Sequence, residues 1–233
     1  MKKNSRMYHV LAGIFLLTIF AGMVGSRIAD TARQIKSVSS SSIEQVQEEK
    51  KKIALTFDDG PDDECTPMLL DGLAKRGVKA TFFVIAKEAS EKPEIMKRMV
   101  KDGHLIGNHT YSHVDLRNMT DSAARKEIQK ANEVIEKYTG EKPCFLRPPF
   151  GNGRSKIEQE LEMIQVLWTI DTMDWSCKDE GQICSTVLRK VEENSVILMH
   201  DEYPTSVRAA LSIVDCLQEQ GYEFVTVDQI VWD

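Results

Sequence analysis

The sequence predicts an α/β domain built on a parallel sheet. Short, continuously apolar runs rich in β-branched and aromatic residues alternate with longer stretches of helical period from Ile53 onward. Glycines also fall where the helices should stop, at Gly77, Gly103, Gly140 and Gly221. The predicted strands, in order, are IALTF (Ile53–Phe57), ATFFVI (Ala80–Ile85), HLIG (His104–Gly107) and CFLR (Cys144–Arg147), then QVLWTI (Gln165–Ile170), SVILM (Ser195–Met199) and FVTV (Phe224–Val227). Between them, apolar helix faces are read from Met68, Leu69 and Leu73, from Ile95, Met96, Met99 and Val100, and from Ala124, Ile128, Ala131 and Ile135. Leu211, Val214 and Leu217 mark the last long helix. Seven strands with six intervening helices fit either an open sheet or a closed barrel, and periodicity does not choose between them. In a barrel, functional groups gather at the carboxyl ends of the strands.

Ahead of this domain the composition changes twice. Lys2, Lys3 and Arg6 precede an uncharged, mostly apolar run from Val10 to Ser26, the pattern of an export segment whose basic end stays in the cytoplasm. The run lacks an A-x-A cleavage site and a cysteine for lipid attachment. Residues 1–26 are therefore expected to act as an uncleaved anchor, with a cleaved signal peptide as the alternative. Residues 27–51, serine-rich and then polar, read as a linker, and the catalytic domain is expected over 52–233, outside the cytoplasm. A net charge of −6 offers no basic footprint for nucleic acid. Nothing in the chain marks an obligatory protein partner. The five cysteines form no C-x-x-C pair and are read as small, partly buried thiols, although Cys177 and Cys184 could pair in an oxidising compartment.

Polar residues cluster at successive strand ends. The first strand runs into Asp58-Asp59-Gly60-Pro61-Asp62, the third into Asn108-His109-Thr110-Tyr111-Ser112-His113, and the fourth into Arg147-Pro148-Pro149-Phe150-Gly151. The fifth leads to Asp171-Thr172-Met173-Asp174-Trp175 and the sixth to His200-Asp201. On one turn of helix, His109 and His113 would present both rings to the same side. A carboxylate from the first strand would complete a His-His-Asp set with open positions, the pattern of a catalytic divalent metal site. Zinc is the first expectation, with cobalt or another divalent ion as alternatives. Adjacent side chains on a strand point to opposite faces, so one of Asp58 and Asp59 should ligate while the other works on the attacking water. Arg147 would hold a carboxylate ionised, and His200, after four apolar residues, suits a proton donor. Trp168 and Trp175 could line a sugar cleft or belong to the core. His104 reads as structural, without a clear partner.

TFDDGPD (Thr56–Asp62), HTYSH (His109–His113), RPPFG (Arg147–Gly151), DTMDW (Asp171–Trp175) and LMH (Leu198–His200) occur in that order. In them the chain resembles the polysaccharide deacetylase family, carbohydrate esterase family 4 or NodB-homology domain, over about residues 52–227. The resemblance implies an irregular (β/α)7-type barrel of parallel strands. It implies Asp58 as catalytic base, Asp59, His109 and His113 as metal ligands, and His200 as general acid. Arg147 would orient Asp58, Asp174 would tune His200 or pair with Arg147, and Trp175 and Leu198 would wall the pocket for the acetyl methyl. Family members often carry tyrosine where this chain has Phe150; phenylalanine keeps the backbone N–H expected to hold the oxyanion. The implied partner is an acetylated polysaccharide outside the cytoplasm, with peptidoglycan N-acetylglucosamine foremost and a chitin-like polymer next. An O-acetyl esterase and an inactive sugar-binding relative are the alternatives.

Overall fold

The strand β1 (Lys52–Asp58) lies at the centre of the sheet in a computed structural model that describes residues 50–232. The predicted export segment, and the linker up to residue 49, lie outside the described residues. β1 is followed by β2 (Thr81–Val84), β3 (Leu105–Asn108), β4 (Phe145–Leu146), β5 (Ile164–Gln165), β6 (Ile170–Asp171), β7 (Val196–His200) and β8 (Glu223–Val225). The order across the sheet is β5-β4-β3-β2-β1-β7-β6, every recorded pairing is parallel, and β8 pairs with the first residues of β1. β5 and β6 do not pair with each other, so the barrel is open at that seam.

The seam corrects the expectation of seven strands. The sequence reads Gln165–Ile170 as one strand, yet the chain crosses there from the β4 edge to the β7 edge. Val166 N–H donates to Leu146 O and Thr169 N–H to Val196 O. The carbonyls of Val166 and Leu167 instead accept from the Arg147 guanidinium, at 3.1 Å each. A side chain has taken acceptors that a continuous ladder would use.

Eight α-helices are described: α1 (Cys65–Arg76), α2 (Ala86–Glu91), α3 (Pro93–Lys101), α4 (Asp121–Thr139), α5 (Ser155–Glu160), α6 (Glu180–Leu188), α7 (Pro204–Glu219) and α8 (Asp228–Val231). Gly77 and Gly140 cap α1 and α4 in the left-handed region, at φ 65° and 79°, as the sequence predicts. Among the described residues no helix is long and apolar enough to cross a membrane.

Alternation along β1 divides the interior. Ile53, Leu55 and Phe57 belong to the core that Leu69, Leu70 and Leu73 of α1 and Val207, Ile213 and Leu217 of α7 also build. Each such fully buried side chain contributes about 1.5–3 kcal/mol. The intervening Thr56 and Asp58 are buried as well, beside the fully buried Arg147. One polar stack therefore runs up the inside of the sheet to the ends of its strands.

Candidate active site

Arg147 organises the base of the site. Its Nη1 donates to Asp58 Oδ1 at 2.8 Å and to Thr56 Oγ1 at 2.7 Å. Its guanidinium carbon stands 4.2 Å from the centre of the Phe83 ring. With Nε and Nη2 on the two seam carbonyls, the guanidinium is held on all sides, as a buried charge must be. Thr56, whose part is legible only from its place two residues before Asp58, donates onward to Ile197 O at 2.7 Å.

Asp58 closes β1, and Asp59 follows with φ 76°, in the left-handed region that a non-glycine residue rarely adopts. That turn breaks strand alternation, so both carboxylates line one cavity instead of opposite faces. The helical turn expected for His109 and His113 is also absent. Both lie in a loop, with φ 67° at Thr110 and 55° at His113. Asn108 Oδ1 accepts from Thr110 N–H, while the carbonyls of Thr110 and Tyr111 accept from the N–H groups of Ala86 and Lys87 at the start of α2. Those bonds replace the intrahelical ones, and the loop still brings the two rings to 5.1 Å between centroids.

His109 Nε2 and His113 Nε2 approach Asp59 Oδ1 to 3.3 and 3.2 Å, and the three donor atoms lie within 4.8 Å of one another. His109 Nδ1 is 2.6 Å from Arg147 O, a contact in which the ring nitrogen must carry the proton. In the neutral ring, Nε2 is then an acceptor aimed at another acceptor, and Asp59 Oδ1 is buried without a hydrogen-bond partner. Such a cluster requires positive charge in its midst. Burial opposes a charged His109, but Asp58, Asp59 and the Arg147 carbonyl carry it above its ordinary value. Burial also works to raise Asp59, while His109, His113 and His200 hold it below the usual carboxylate range. Burial, with the charge of the neighbouring rings His109 and His200, keeps His113 below its ordinary value. Two imidazoles, one carboxylate and an N–H···O=C bond orienting a ring are the donor set of a divalent metal centre with open positions.

Across the cavity, His200 pairs in register with Asp58. Its Nδ1 is 2.8 Å from Asp174 Oδ1, and its N–H donates to Asp174 Oδ2, also at 2.8 Å. Burial alone would lower the ring, but the hydrogen bond and charge of Asp174, with the charges of Asp58 and Asp59, carry it up to about 9. Of the two partners expected for Asp174, His200 is the one it meets; Arg147 belongs to Asp58. His200 Nε2 is left facing Asp59 Oδ2 at 3.9 Å.

The cavity measures about 470 Å³, and Phe150, Trp168, Trp175 and Leu198 form its apolar wall beside the carboxylates and imidazoles. Phe150 and Trp175 remain 64% and 51% exposed, so the wall continues to an open mouth. Phe150 holds φ 60°, and its N–H has no hydrogen-bond partner among the described residues. Asp171, which the sequence groups with the polar residues at strand ends without a role of its own, lines the same cavity, and its Oδ1 accepts from Met173 N–H at 2.8 Å. His104 stands apart and is structural: Ala80 N–H donates to its Nδ1 at 3.1 Å.

The polysaccharide deacetylase family model matches residues 45–166. The peptidoglycan-N-acetylmuramic acid deacetylase PdaC of Bacillus subtilis (strain 168) is 38% identical over 187 residues, 80% of this chain and 40% of that protein. The peptidoglycan-N-acetylglucosamine deacetylase PgdA of Listeria monocytogenes (serotype 1/2a, strain 10403S) is 34% identical over 209 residues, 88% of this chain and 45% of that one. The chain thus spans less than half the length of these two curated relatives. The solved structure of peptidoglycan deacetylase PdaC from Bacillus subtilis superposes with a TM-score of 0.76 at 38% identity, over 79% of this chain and 92% of that one. Motifs, sheet topology and these likenesses agree: the chain belongs to the polysaccharide deacetylase family.

Proposed function

We propose that the chain is a metal-dependent hydrolase that removes N-acetyl groups from an extracytoplasmic polysaccharide, most directly the N-acetylated sugars of peptidoglycan. The observation that carries this reading is the meeting, on one 470 Å³ cavity, of the Asp59–His109–His113 cluster, the Asp58–Arg147 pair and the Asp174–His200 pair. The relatives named for peptidoglycan substrates support the choice of polymer.

A divalent ion held by Asp59, His109 and His113, zinc before cobalt, would supply Lewis acidity toward the acetyl carbonyl and acidify the attacking water. Asp58, oriented by the 2.8 Å bond from Arg147, takes the proton from that water as base. The unpartnered N–H of Phe150 offers a donor to the oxygen that becomes negative in the tetrahedral state. His200, protonated at neutral pH, gives its Nε2 proton to the departing sugar amine, while Asp174 holds Nδ1–H and fixes the ring. Trp175 and Leu198 enclose the acetyl methyl. Water adds across the amide, the C–N bond breaks, and acetate and a free amino sugar leave.

In this reading residues 1–26 anchor the chain in the membrane, 27–51 form a linker, and 52–233 act outside the cytoplasm. The apolar run Val10–Ser26 behind Lys2, Lys3 and Arg6 supports that arrangement. The purified chain should release acetate and new primary amine in equal amounts from N-acetylglucosamine oligomers or peptidoglycan. Acetate without amine, or release only from O-acetylated xylan, would assign ester cleavage instead.

A further inference from the structure

We propose that Asp201 is a positioning residue that fastens the turn carrying Asp59 to the strand end carrying His200. Asp201 directly follows His200 and is fully buried. Its Oδ2 accepts from Thr66 Oγ1 at 2.5 Å, and that same hydroxyl oxygen accepts from Asp62 N–H at 2.7 Å. The other oxygen, Oδ1, is buried and makes no hydrogen bond. It is packed against Gly60 so closely that a Cβ there would lie 2.2 Å from Oδ1 and 2.4 Å from Oδ2. Only glycine lets the backbone and this carboxyl meet.

The turn so gripped is the one that needs gripping. Asp59 sits at φ 76°, between the end of β1 and Gly60. A left-handed non-glycine residue persists only where its surroundings hold it. On one side Gly60 O accepts from Ile85 N–H at 3.1 Å. On the other, Asp201 presses on Gly60 and, through Thr66, takes hold of Asp62. Asp59 is thereby set against the two histidines and at a fixed separation from His200. This inference rests on the reading of Asp59 as a metal ligand.

The test uses Asp201→Asn and Thr66→Val in the full chain, each close in shape to the residue it replaces. Zinc affinity is measured by competition with a chelator, alongside kcat, KM and the thermal midpoint of the metal-free protein. Groups that orient a metal ligand typically change affinity by about tenfold to a hundredfold. The expected result is a loss of that size in both variants, with kcat reduced and KM close to that of the unaltered chain. Zinc affinity and kcat within about twofold of the unaltered chain in the folded variants would overturn the proposal, however far the thermal midpoint falls. If Asp201→Asn fails to fold, Thr66→Val decides alone. An unaltered chain that binds no zinc would overturn the ligand assignment beneath it, whereas zinc binding without acetate release would count only against the proposed reaction.

Discussion

Replacing Asp174 by asparagine should move the alkaline limit of activity by a calculable amount. Both Asp174 oxygens are committed to His200, one to Nδ1 and one to the backbone N–H, each at 2.8 Å. An asparagine can supply an oxygen to only one of them and loses the negative charge. Burial by itself pulls His200 below its ordinary 6.5; the Asp174 hydrogen bond and charge, then Asp58 and Asp59, lift it to about 9. At pH 7.5 a ring with a pKa of about 9 is almost wholly protonated, while one at or below 6.5 is about a tenth protonated or less. If His200 is the proton donor, kcat/KM at pH 7.5 should fall about tenfold or more, and should recover as the pH is lowered. A cation at Asp59 offsets part of the carboxylate contribution but leaves that of Asp174, so both proteins are compared with the same metal. The raised pKa also links to stability: the pairing contributes fully below 6.5, and its contribution is lost as pH rises through about 9. Acetate release followed from about pH 5 to pH 10, with metal content checked, measures the limb. A uniform loss of activity with the alkaline limb unmoved would rule out a proton donor whose pKa Asp174 sets.

Other substitutions separate the remaining roles. Asp58→Asn should lower turnover by about a hundredfold or more while metal analysis finds the ion retained; His109→Ala should lose both. Arg147→Met strands the Asp58 carboxylate and two carbonyls, and should cost about 3–5 kcal/mol in denaturant unfolding. His104 is held near 4 by burial and the neighbouring Lys79 charge, so the unfolded chain binds the extra proton. Stability should therefore fall as pH drops from 6.5 toward 4, and an NMR titration should find the ring neutral until about 4.

Much of this site is legible in the sequence because its residues terminate strands whose composition is unambiguous. Asp58, His109, Arg147 and His200 each lie at or directly after the end of a buried strand, and parallel topology brings those ends together. What stays hidden depends on backbone that departs from regular structure. The left-handed turn at Asp59 puts two adjacent carboxylates on one cavity, against strand alternation. His109 and His113 converge through a loop tied to the start of α2, not through a helical turn. The break between β5 and β6 arises because Arg147 claims the carbonyls of Val166 and Leu167, a long-range contact that local propensity does not carry. Asp201 reads as one more acid beside His200 until its packing on Gly60 is visible.

The central claim is tested most directly by stripping the purified chain with chelator and following acetate release from N-acetylglucosamine oligomers and peptidoglycan before and after zinc or cobalt is returned. Release should stop on stripping and return with the metal, in step with occupancy of the Asp59–His109–His113 cluster. Release that persists in the metal-free protein, or a chain that binds neither ion, would contradict it.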